Sequence, residues 1–312
     1  MQSALVGCTG FVGSNLAASH PFEGQYHSTD IKTAFGTNPR LLVYAGLPAA
    51  KYLANTDPEA DWAVCRSAAE NIRAIHPDKL VLISTVDVFS DSRGADESTL
   101  PDLENPQAYG RNRAKLEQLV RTDFPNALIV RLPALYGLGL KKNFLFDLHT
   151  ITPAMLREDK YRQLSAESPL VRVSYEPDAN GFYRLSPEAD KTALRVFFAA
   201  NDFNALSFTD SRSRYQFYPL FRLWQDICTA LGAGLTLLHP ATPPVSAAEI
   251  YTAVTGRSNW ENLLSPPPAD YDLHTRHAAL FGGEGVYLCD RQAELDAIER
   301  FMTSWNGTQR ED

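Results

Sequence analysis

The sequence predicts an α/β fold in which a doubly wound parallel sheet is followed by a smaller mixed lobe, and three features predict it. A glycine turn separates a short apolar run from a helical stretch at the start of the chain. Apolar runs of strand length then alternate with helical segments as far as about residue 140. Beyond that point hairpin and helix signals replace the alternation. We therefore predict a Rossmann-type dinucleotide-binding domain at residues 1–140 and a substrate-binding lobe at residues 141–312, of which about 215–245 packs back on the first domain.

The opening stretch, ALVGCTGFVGSNL at residues 4–16, combines a short apolar run, a glycine turn and the start of a helical apolar rhythm. Its spacing is GxxGxxG, and the residues of the turn and the helix start are Gly7, Gly10, Phe11, Val12 and Gly13. The glycines allow a tight turn, close approach of the backbone to a pyrophosphate and close packing of helix on strand, and the N–H groups at the helix start attract the anion. The stretch therefore predicts a dinucleotide cradle, with an ordinary strand-to-helix turn as the alternative.

An acidic residue follows the second predicted strand. The stretch QYHSTD ends in Asp30, which lies 20 residues beyond Gly10. A dinucleotide fold places there the carboxylate that accepts the ribose hydroxyls of the adenosine half, and this charge repels a 2′-phosphate, which favours NAD over NADP. A solvated turn aspartate is the alternative, and Lys32 nearby weakens the charge argument. Only about ten residues separate Asp30 from the apolar run at residues 41–46. A crossover helix and another strand do not fit into that length, so we predict that the third strand is missing or short.

The rest of the chain continues with recognisable elements. Asp57 can cap a helix over residues 57–75, with Pro58 at its first position. Further helices are predicted over residues 107–121, 187–200, 219–231, 246–254 and 291–305, and strands over residues 79–84, 127–131 and 235–238. Residues 169–185 alternate in character on either side of the turn sequence DANG, which predicts a hairpin.

The composition argues against several classes of protein. The 29 Lys and Arg against 37 Asp and Glu give a net charge of -8, which argues against a nucleic-acid or anionic-membrane surface. The histidines show no metal spacing and the cysteines (Cys8, Cys65, Cys228 and Cys289) no CxxC pair, so neither a metal site nor a disulfide framework is predicted. The first strand begins within three residues of Met1 and no apolar run reaches membrane-spanning length, which predicts a cytoplasmic protein without a signal peptide.

Two stretches carry residues suited to catalysis. Residues 83–89, ISTVDVF, stand at the carboxyl end of a predicted strand, and residues 109–113, YGRNR, stand on the following helix. Tyr109 and Arg113 are four residues apart, so they share a helix face and both can point at one spot. With Thr85 opposite, the trio is predicted to surround a substrate hydroxyl or carbonyl beside a nicotinamide.

At these residues the chain resembles the extended short-chain dehydrogenases/reductases that act on sugar nucleotides, a family of epimerases, dehydratases and reductases. The matching residues are GCTGFVG at 7–13, Asp30, Ala45 and Gly46, ISTVDVF at 83–89, YGRNR at 109–113 and RLPALYG at 131–137, with PVSAAEI at 244–250 similar to a C-terminal segment of the family. The resemblance implies that Ala45 and Gly46 contact the cofactor, which is NAD. It also implies a nucleotide sugar or related carbohydrate as substrate, and a homodimer that pairs through the helices beginning at Asp57 and Gln107.

The resemblance assigns catalytic roles to two residues and departs from the family at a third. It implies that Tyr109 is the acid or base and that Thr85 holds the reacting oxygen. The family has lysine four residues after the tyrosine, where this chain has Arg113. Arginine keeps a positive charge and donors for the nicotinamide ribose, but it is bulkier and retains its proton, so a lysine proton relay is lost. Two interpretations stay open: Arg113 is a working substitute in catalysis and cofactor binding, or the chemistry is crippled or altered.

Asp87 is the remaining candidate for catalysis. It stands where the sugar-nucleotide dehydratases of the family have a base, but Val86 replaces their first acid, which argues against dehydration. Asp87 either abstracts a proton alpha to a carbonyl or is a loop aspartate with a capping role.

Basic residues of the lobe are candidates for substrate binding. Lys141 and Asn143 lie where the substrate loop of the family begins, and Arg212 and Arg214 form a second basic cluster in an acidic protein. Both groups can grip a diphosphate. Solvation of an ordinary surface is the alternative for each.

Taken as a whole, the residues and the resemblance predict an NAD-dependent oxidoreductase or epimerase that transfers hydride at a carbinol carbon of a nucleotide sugar. Epimerisation through a transient keto intermediate is the most economical version, because it regenerates the cofactor and needs no second acid. Two alternatives stay open. One is a non-catalytic dinucleotide-binding sensor or scaffold protein, suggested by Arg113 and the short region after Asp30, and the other is an NADP-dependent carbonyl reductase.

Overall fold

The computed structural model describes residues 1–178 and 181–308, and it divides into two compact units. The first unit consists of Met1–Leu140, Arg214–Val245 and Asp270–Leu295. The second consists of Lys141–Ser213, Ser246–Ala269 and the chain from Asp296. The sequence had indicated no return to the first unit at residues 270–295, which it placed in the lobe.

Strands and helices alternate along the first unit, and shorter elements follow. The strands are β1 Ser3–Val6, β2 Gly24–Tyr26, β3 Leu41–Tyr44, β4 Lys79–Thr85, β5 Leu128–Leu132, β6 Ala134–Tyr136, β7 Met155–Arg157, β8 Tyr175–Pro177, β9 Phe182–Leu185, β10 Arg214–Tyr215, β11 Phe217–Pro219, β12 Leu237–Leu238 and β13 Val245–Ser246. The helices are α1 Phe11–Ser19, α2 Lys51–Thr56, α3 Pro58–Ile75, α4 Ala108–Asp123, α5 Phe144–Thr150, α6 Glu158–Glu167, α7 Pro169–Ser174, α8 Lys191–Ala199, α9 Leu223–Gly232, α10 Ala247–Thr255 and α11 Arg291–Thr308. None of the helices in the described part of the chain is long and apolar enough to cross a membrane.

A six-stranded parallel sheet forms the centre of the first unit, with the order β12-β5-β4-β3-β1-β2. The chain steps from β1 to β2 on one side and then returns, so that β3 pairs with the other side of β1. Such a switch point opens a crevice at the carboxyl ends of the strands, where ligands bind in sheets of this kind. The doubly wound fold predicted from the sequence is confirmed.

The region between β2 and β3 is as short as the sequence indicated. A single 3-10 turn at Ile31–Ala34 stands where a crossover helix and a third strand belong in the usual order, and β2 forms the edge of the sheet. The prediction that the third strand is missing is therefore confirmed. Its cause is chain length, since the residues present cannot span a crossover.

Apolar side chains cover both faces of the sheet because successive residues of a strand point to opposite sides. On β1, Ala4 and Val6 pack with residues of α3 and α4 on one face. Leu5 packs on the other face with Leu16 of α1 and Leu223 of α9. This double cover explains why the strands read as continuous apolar runs.

A buried polar network fastens α4, the helix of Tyr109, to the sheet. The carboxylate of Glu117 on α4 accepts two hydrogen bonds from Arg131 Nε at 3.1 Å and one from Arg131 Nη2 at 2.6 Å. It also accepts one from Ser84 Oγ at 2.5 Å. On the far side of the guanidinium, Arg131 Nη1 lies 3.2 Å from His239 Nε2, while His239 Nδ1 lies 3.1 Å from the carbonyl oxygen of His274. The imidazole must therefore be neutral, with its proton on Nδ1, because Arg131 can only donate.

This network predicts that the fold loses stability as the pH falls through the range of His239. Burial lowers the pKa of His239 from 6.5 to about 4. The unfolded chain therefore binds a proton first, so the stability from this site is complete above pH 6.5 and declines as the pH falls towards 4. We expect urea unfolding to show a loss of about 3 kcal/mol from this site across that window. The His239→Gln variant should lack this component, because glutamine accepts the same bond from Arg131 without titrating. His277→Gln, outside the network, is the matched control, and an unchanged pH dependence in His239→Gln would contradict the prediction.

The second unit has a small antiparallel sheet with the order β7-β9-β8 and its own core. Side chains from its strands and helices form that core: Leu156, Leu164, Val171, Tyr175, Leu194 and Phe198. The predicted hairpin is present as β8 and β9, but its first arm is shorter than predicted because residues 169–174 form α7. Ala179 and Asn180 of the predicted turn lie outside the described residues.

Candidate functional site

The glycine turn at the end of β1 forms a cradle beside the end of β3. Gly7 has a φ of +90°, and a Cβ at this position would lie 2.5 Å from the carbonyl oxygen of Ala45. A Cβ on Gly13 would lie 2.0 Å from the carbonyl oxygen of Gly7, so α1 approaches the turn too closely for any side chain there. Gly10 is the N-cap of α1, whose first N–H groups lack partners within the helix. The N–H groups of Gly7, Cys8 and Gly10 bond within the protein, so the first N–H groups of α1 are the backbone donors that a pyrophosphate could use at the switch point of the sheet.

The other predicted cofactor residues surround this turn in different ways. Phe11 and Val12 open α1 and pack partly against the core, which leaves their backbone N–H groups at the helix start. Ala45 directly follows β3 and donates its N–H to the carbonyl oxygen of Val6 at 2.9 Å. A Cβ on Gly46 would lie 3.0 Å from Cγ1 of Val6, so this backbone too runs close to β1.

Asp30 lies beyond the end of β2 and takes part in a turn. Its Oδ1 accepts a hydrogen bond from the backbone N–H of His27 at 2.7 Å, and its Oδ2 lies 3.1 Å from His27 Nε2. The side chain is 37% exposed. A ribose hydroxyl can therefore reach the carboxylate of Asp30, although this carboxylate also bonds His27 of the turn.

Thr85, the last residue of β4, lies in a polar cluster with Asp87. Thr85 Oγ1 donates to Asp87 Oδ2 at 2.8 Å and accepts the backbone N–H of Asp87 at 3.2 Å. The ammonium of Lys51 lies 2.7 Å from each carboxylate oxygen of Asp87 and 5.9 Å from the centre of the Tyr109 ring. The cluster thus brings together a hydroxyl, a carboxylate, a cation and a phenol ring.

Helix α4 approaches this cluster so closely that its first turn requires glycine. A Cβ on Gly110 would lie 1.8 Å from the carbonyl oxygen of Asp87, which also accepts a hydrogen bond from Asn105 Nδ2 at 3.0 Å. Helix α2 holds the start of the same helix from the other side. Asn55 Oδ1 accepts the backbone N–H of Tyr109 at 3.0 Å, and Asn55 Nδ2 donates to Gln107 Oε1 at 2.6 Å.

Arg113 lies one turn beyond Tyr109, but its donors are bonded within the protein. Its guanidinium carbon is 4.2 Å from the centre of the Tyr109 ring, over the ring and not at the hydroxyl. Arg113 Nη1 donates to Asp61 Oδ2 at 2.5 Å, and Nη2 donates to the carbonyl oxygen of Pro48 at 2.7 Å. The arginine side chain is 3% exposed. The sequence predicts that Tyr109 and Arg113 share a helix face, and they do. For Arg113 to contact the nicotinamide ribose as expected, its hydrogen bonds to Asp61 and Pro48 would have to break.

The charges around Tyr109 nearly balance. Burial of the phenol raises the pKa of Tyr109 above its ordinary value, and the carboxylates of Asp87 and Asp61 raise it further. The cations of Arg113 and Lys51 act in the opposite direction without overcoming the increase. The phenol is therefore protonated at neutral pH.

The four residues predicted to bind a diphosphate have different surroundings. Arg212 makes two side-chain hydrogen bonds to Asp210, at 2.9 and 2.7 Å, and Arg214 Nε donates to Asp270 at 2.6 Å. The two arginines belong to different units. Asn143 caps α5 by accepting the backbone N–H groups of residues 145 and 146, and Lys141 is exposed at the start of the second unit. Each of these guanidinium groups is thus paired with a carboxylate, and diphosphate binding by Arg212 and Arg214 stays a prediction.

Lys51, Asn55 and Asp61 were not identified from the sequence. Lys51 and Asn55 lie on a six-residue helix that no periodicity signal indicated, and Asp61 lies within the first turns of α3. No motif marks them. In the described part of the chain, no group of three or more His, Cys, Asp or Glu is placed to hold a metal ion.

Comparisons with known proteins agree on the fold. Residues 1–155 match the family model described as the RmlD substrate binding domain, and no curated protein sequence matches the chain. A dTDP-4-dehydrorhamnose reductase from Bacillus anthracis, solved in complex with NADP, is 14% identical with a TM-score of 0.63, over 97% of this chain and 99% of that chain. A UDP-glucuronic acid 4-epimerase from Bacillus cereus, solved with UDP-glucuronic acid and NAD, is 14% identical with a TM-score of 0.60, over 98% of this chain and 100% of that chain. A UDP-glucose 4-epimerase from Thermotoga maritima, solved with UDP-glucose, is 10% identical with a TM-score of 0.62, over 99% of this chain and 100% of that chain.

Proposed function

We propose that this chain, of which residues 1–155 match the model of the RmlD substrate binding domain, is an extended short-chain dehydrogenase/reductase and acts as a nicotinamide-dinucleotide-dependent oxidoreductase or epimerase of nucleotide sugars. The observation that carries the proposal is the cluster at the carboxyl end of β4, where Thr85 and Lys51 both bond Asp87 and the ammonium of Lys51 lies 5.9 Å from the centre of the Tyr109 ring. The names of the structural neighbours describe a reductase and two epimerases of nucleotide sugars.

The glycine cradle supports dinucleotide binding. Side chains at positions 7 and 13 would meet neighbouring backbone, so the glycines let β1, the turn and α1 pack closely and leave the first N–H groups of α1 for an incoming diphosphate. When bound, the nicotinamide supplies the hydride acceptor and donor for the substrate carbon. We further propose NAD in preference to NADP, because the carboxylate of Asp30 would repel a 2′-phosphate at the adenosine end.

The chain's own residues divide the remaining chemistry between them. Tyr109 exchanges a proton with the substrate oxygen. Thr85 donates a hydrogen bond to the same oxygen once its hydroxyl leaves Asp87. We favour epimerisation through a transient ketone, because oxidation followed by reduction on the other face returns the cofactor to its starting state.

The test combines cofactor binding with turnover. We expect calorimetry to show NAD binding at least about tenfold more tightly than NADP, a difference of roughly 1.4 kcal/mol, and Asp30→Asn to narrow that gap. The protein is then incubated with UDP- and dTDP-linked sugars while reduced nicotinamide is followed by absorbance and product stereochemistry by NMR. Equal affinity for the two cofactors would contradict the NAD assignment. No turnover with any sugar, in a protein that binds the cofactor, would contradict the enzymatic proposal.

A non-catalytic dinucleotide-binding role is the second candidate. The observation that favours it is the engagement of Arg113, whose donors are bonded to Asp61 and Pro48 and not directed at a cofactor. A sensor would bind the dinucleotide and remain functional without the phenol of Tyr109, and an enzyme would not.

A further inference from the structure

Two ion pairs flank Tyr109, and they differ in exposure. In the pair formed by Arg113 and Asp61, the side chains are 3% and 9% exposed. In the pair formed by Lys51 and Asp87, they are 53% and 18% exposed. The first pair is enclosed by protein, and the second is open to solvent and to a ligand.

Lys51 is held in place by the residues that surround the start of α4. Asn55, one helical turn after Lys51, accepts the backbone N–H of Tyr109 and so docks α2 against α4. Arg113 Nη2 bonds the carbonyl oxygen of Pro48, three residues before Lys51. The arginine thus fastens the loop that delivers the lysine.

We infer that Lys51, clamped by Asp87, is a second, solvent-accessible cation that adjusts the ionisation of Tyr109, whereas Arg113 is the nearer, buried cation and anchors the loop that carries Lys51. The catalytic meaning of this inference rests on the proposed function, in which Tyr109 is the acid or base. Lys51 is a positioning residue, since it acts through the phenol. Lys51 lies on α2, whereas the cation that follows Tyr109 on α4 is Arg113.

The charges around the phenol of Tyr109 determine whether each substitution raises or lowers its pKa. The titratable groups that face Tyr109 or its cation are Arg113 on α4, Asp61 on α3, Asp87 after β4, Lys51 on α2 and, towards Lys51, Tyr271. Burial alone would lower the pKa of Lys51, but the carboxylate of Asp87 outweighs it and the net pKa is raised. Lys51 therefore stays charged at neutral pH. Its removal withdraws a positive charge from the phenol and leaves Asp87 uncompensated, so tyrosinate becomes less stable.

The ionisation of position 109 can be measured without a substrate. A fluorinated tyrosine placed at position 109 of the full-length protein gives one fluorine NMR signal and titrates at lower pH than tyrosine. We expect Lys51→Met to raise the apparent pKa of this phenol by about one pH unit and Asp87→Asn to lower it by about the same amount. Lys51→Arg keeps the charge and should leave the pKa within a few tenths of a unit of the wild type. The double variant should return close to the wild-type value, because both charges are gone.

Lys115→Met is the matched control. It removes the same charge from α4, but Lys115 Nζ lies over the Trp62 ring, 5.9 Å from its centre, and the phenol should titrate as in the wild type. An unchanged titration in Lys51→Met, or shifts of equal sign in Lys51→Met and Asp87→Asn, would overturn the inference. When a substrate is found, the pH profile of kcat/KM should move in the same direction as the fluorine titration. Fluorine shifts of the expected sign in a protein that turns over no sugar would sustain the inference about Lys51 and count against the enzymatic proposal alone.

Discussion

Replacement of Tyr109 by phenylalanine is expected to lower kcat for nucleotide-sugar turnover by about 10²–10⁴-fold, the usual contribution of one general acid or base. The fold should tolerate the change, because phenylalanine keeps the ring over which the Arg113 guanidinium lies at 4.2 Å. Dinucleotide affinity should change by less than about twofold, since the cradle at Gly7, Gly10 and Gly13 contains no part of the phenol. The measurement is steady-state kinetics beside calorimetric binding on the same preparation.

Tyr175→Phe serves as the comparison for loss of a buried hydroxyl. Tyr175 donates to the carbonyl oxygen of Pro153 at 2.6 Å in the second unit, so its removal affects stability by about 1 kcal/mol and not the chemistry. Turnover that survives in Tyr109→Phe would remove this residue from the mechanism. If the wild-type protein binds the dinucleotide and Tyr109→Phe keeps its full biological activity, the sensor interpretation is the correct one.

Replacement of Arg113 by methionine is expected to lower the free energy of unfolding by about 3–5 kcal/mol, as removal of one partner from a buried ion pair does. Asp61 would keep its charge with a side chain that is only 9% exposed, and the Pro48 carbonyl would lose its donor. Urea unfolding followed by circular dichroism measures the loss. Lysine at position 113 restores only part of this stability, because an ammonium lacks the planar guanidinium that bonds Asp61 and Pro48 at the same time. Arg113→Lys should therefore fall between the wild type and Arg113→Met.

A double-mutant cycle separates the ion pair from general disruption at this position. Arg113→Met combined with Asp61→Asn removes both charges, and we expect the double variant to be more stable than the sum of the two single losses implies. A loss below about 1 kcal/mol in Arg113→Met, the range of exposed pairs, would show that the arginine does not anchor the loop.

Much of the first unit could be predicted because its signals are local. The spacing of apolar residues along the chain determines which side of a strand or helix is apolar. Three glycines at fixed spacing determine the turn after β1. The absent third strand followed from counting residues between Asp30 and Leu41, since a chain of that length cannot make a crossover. The positions of Thr85 at a strand end and of Tyr109 on the next helix followed from the same alternation.

The electrostatics of the site could not be predicted in this way, because its partners come from distant parts of the chain. Asp61 meets Arg113 from 52 residues away, and Asp87 meets Lys51 from 36 residues away. His239 meets Arg131 across 108 residues. No spacing rule connects such residues, and α2, which carries Lys51, is too short to have a clear period.

By itself, the sequence determined the parallel sheet, the glycine cradle and the place of Tyr109 beside a cation, since each depends on backbone geometry over a few neighbouring residues. Only the tertiary structure decided what that cation does. Packing of α2 and α3 against α4 directs Arg113 to Asp61 and Pro48, and it brings Lys51 to Asp87 beside the ring. The physical reason is that a charge takes its function from the partners within a few ångströms, and those partners are brought together by folding.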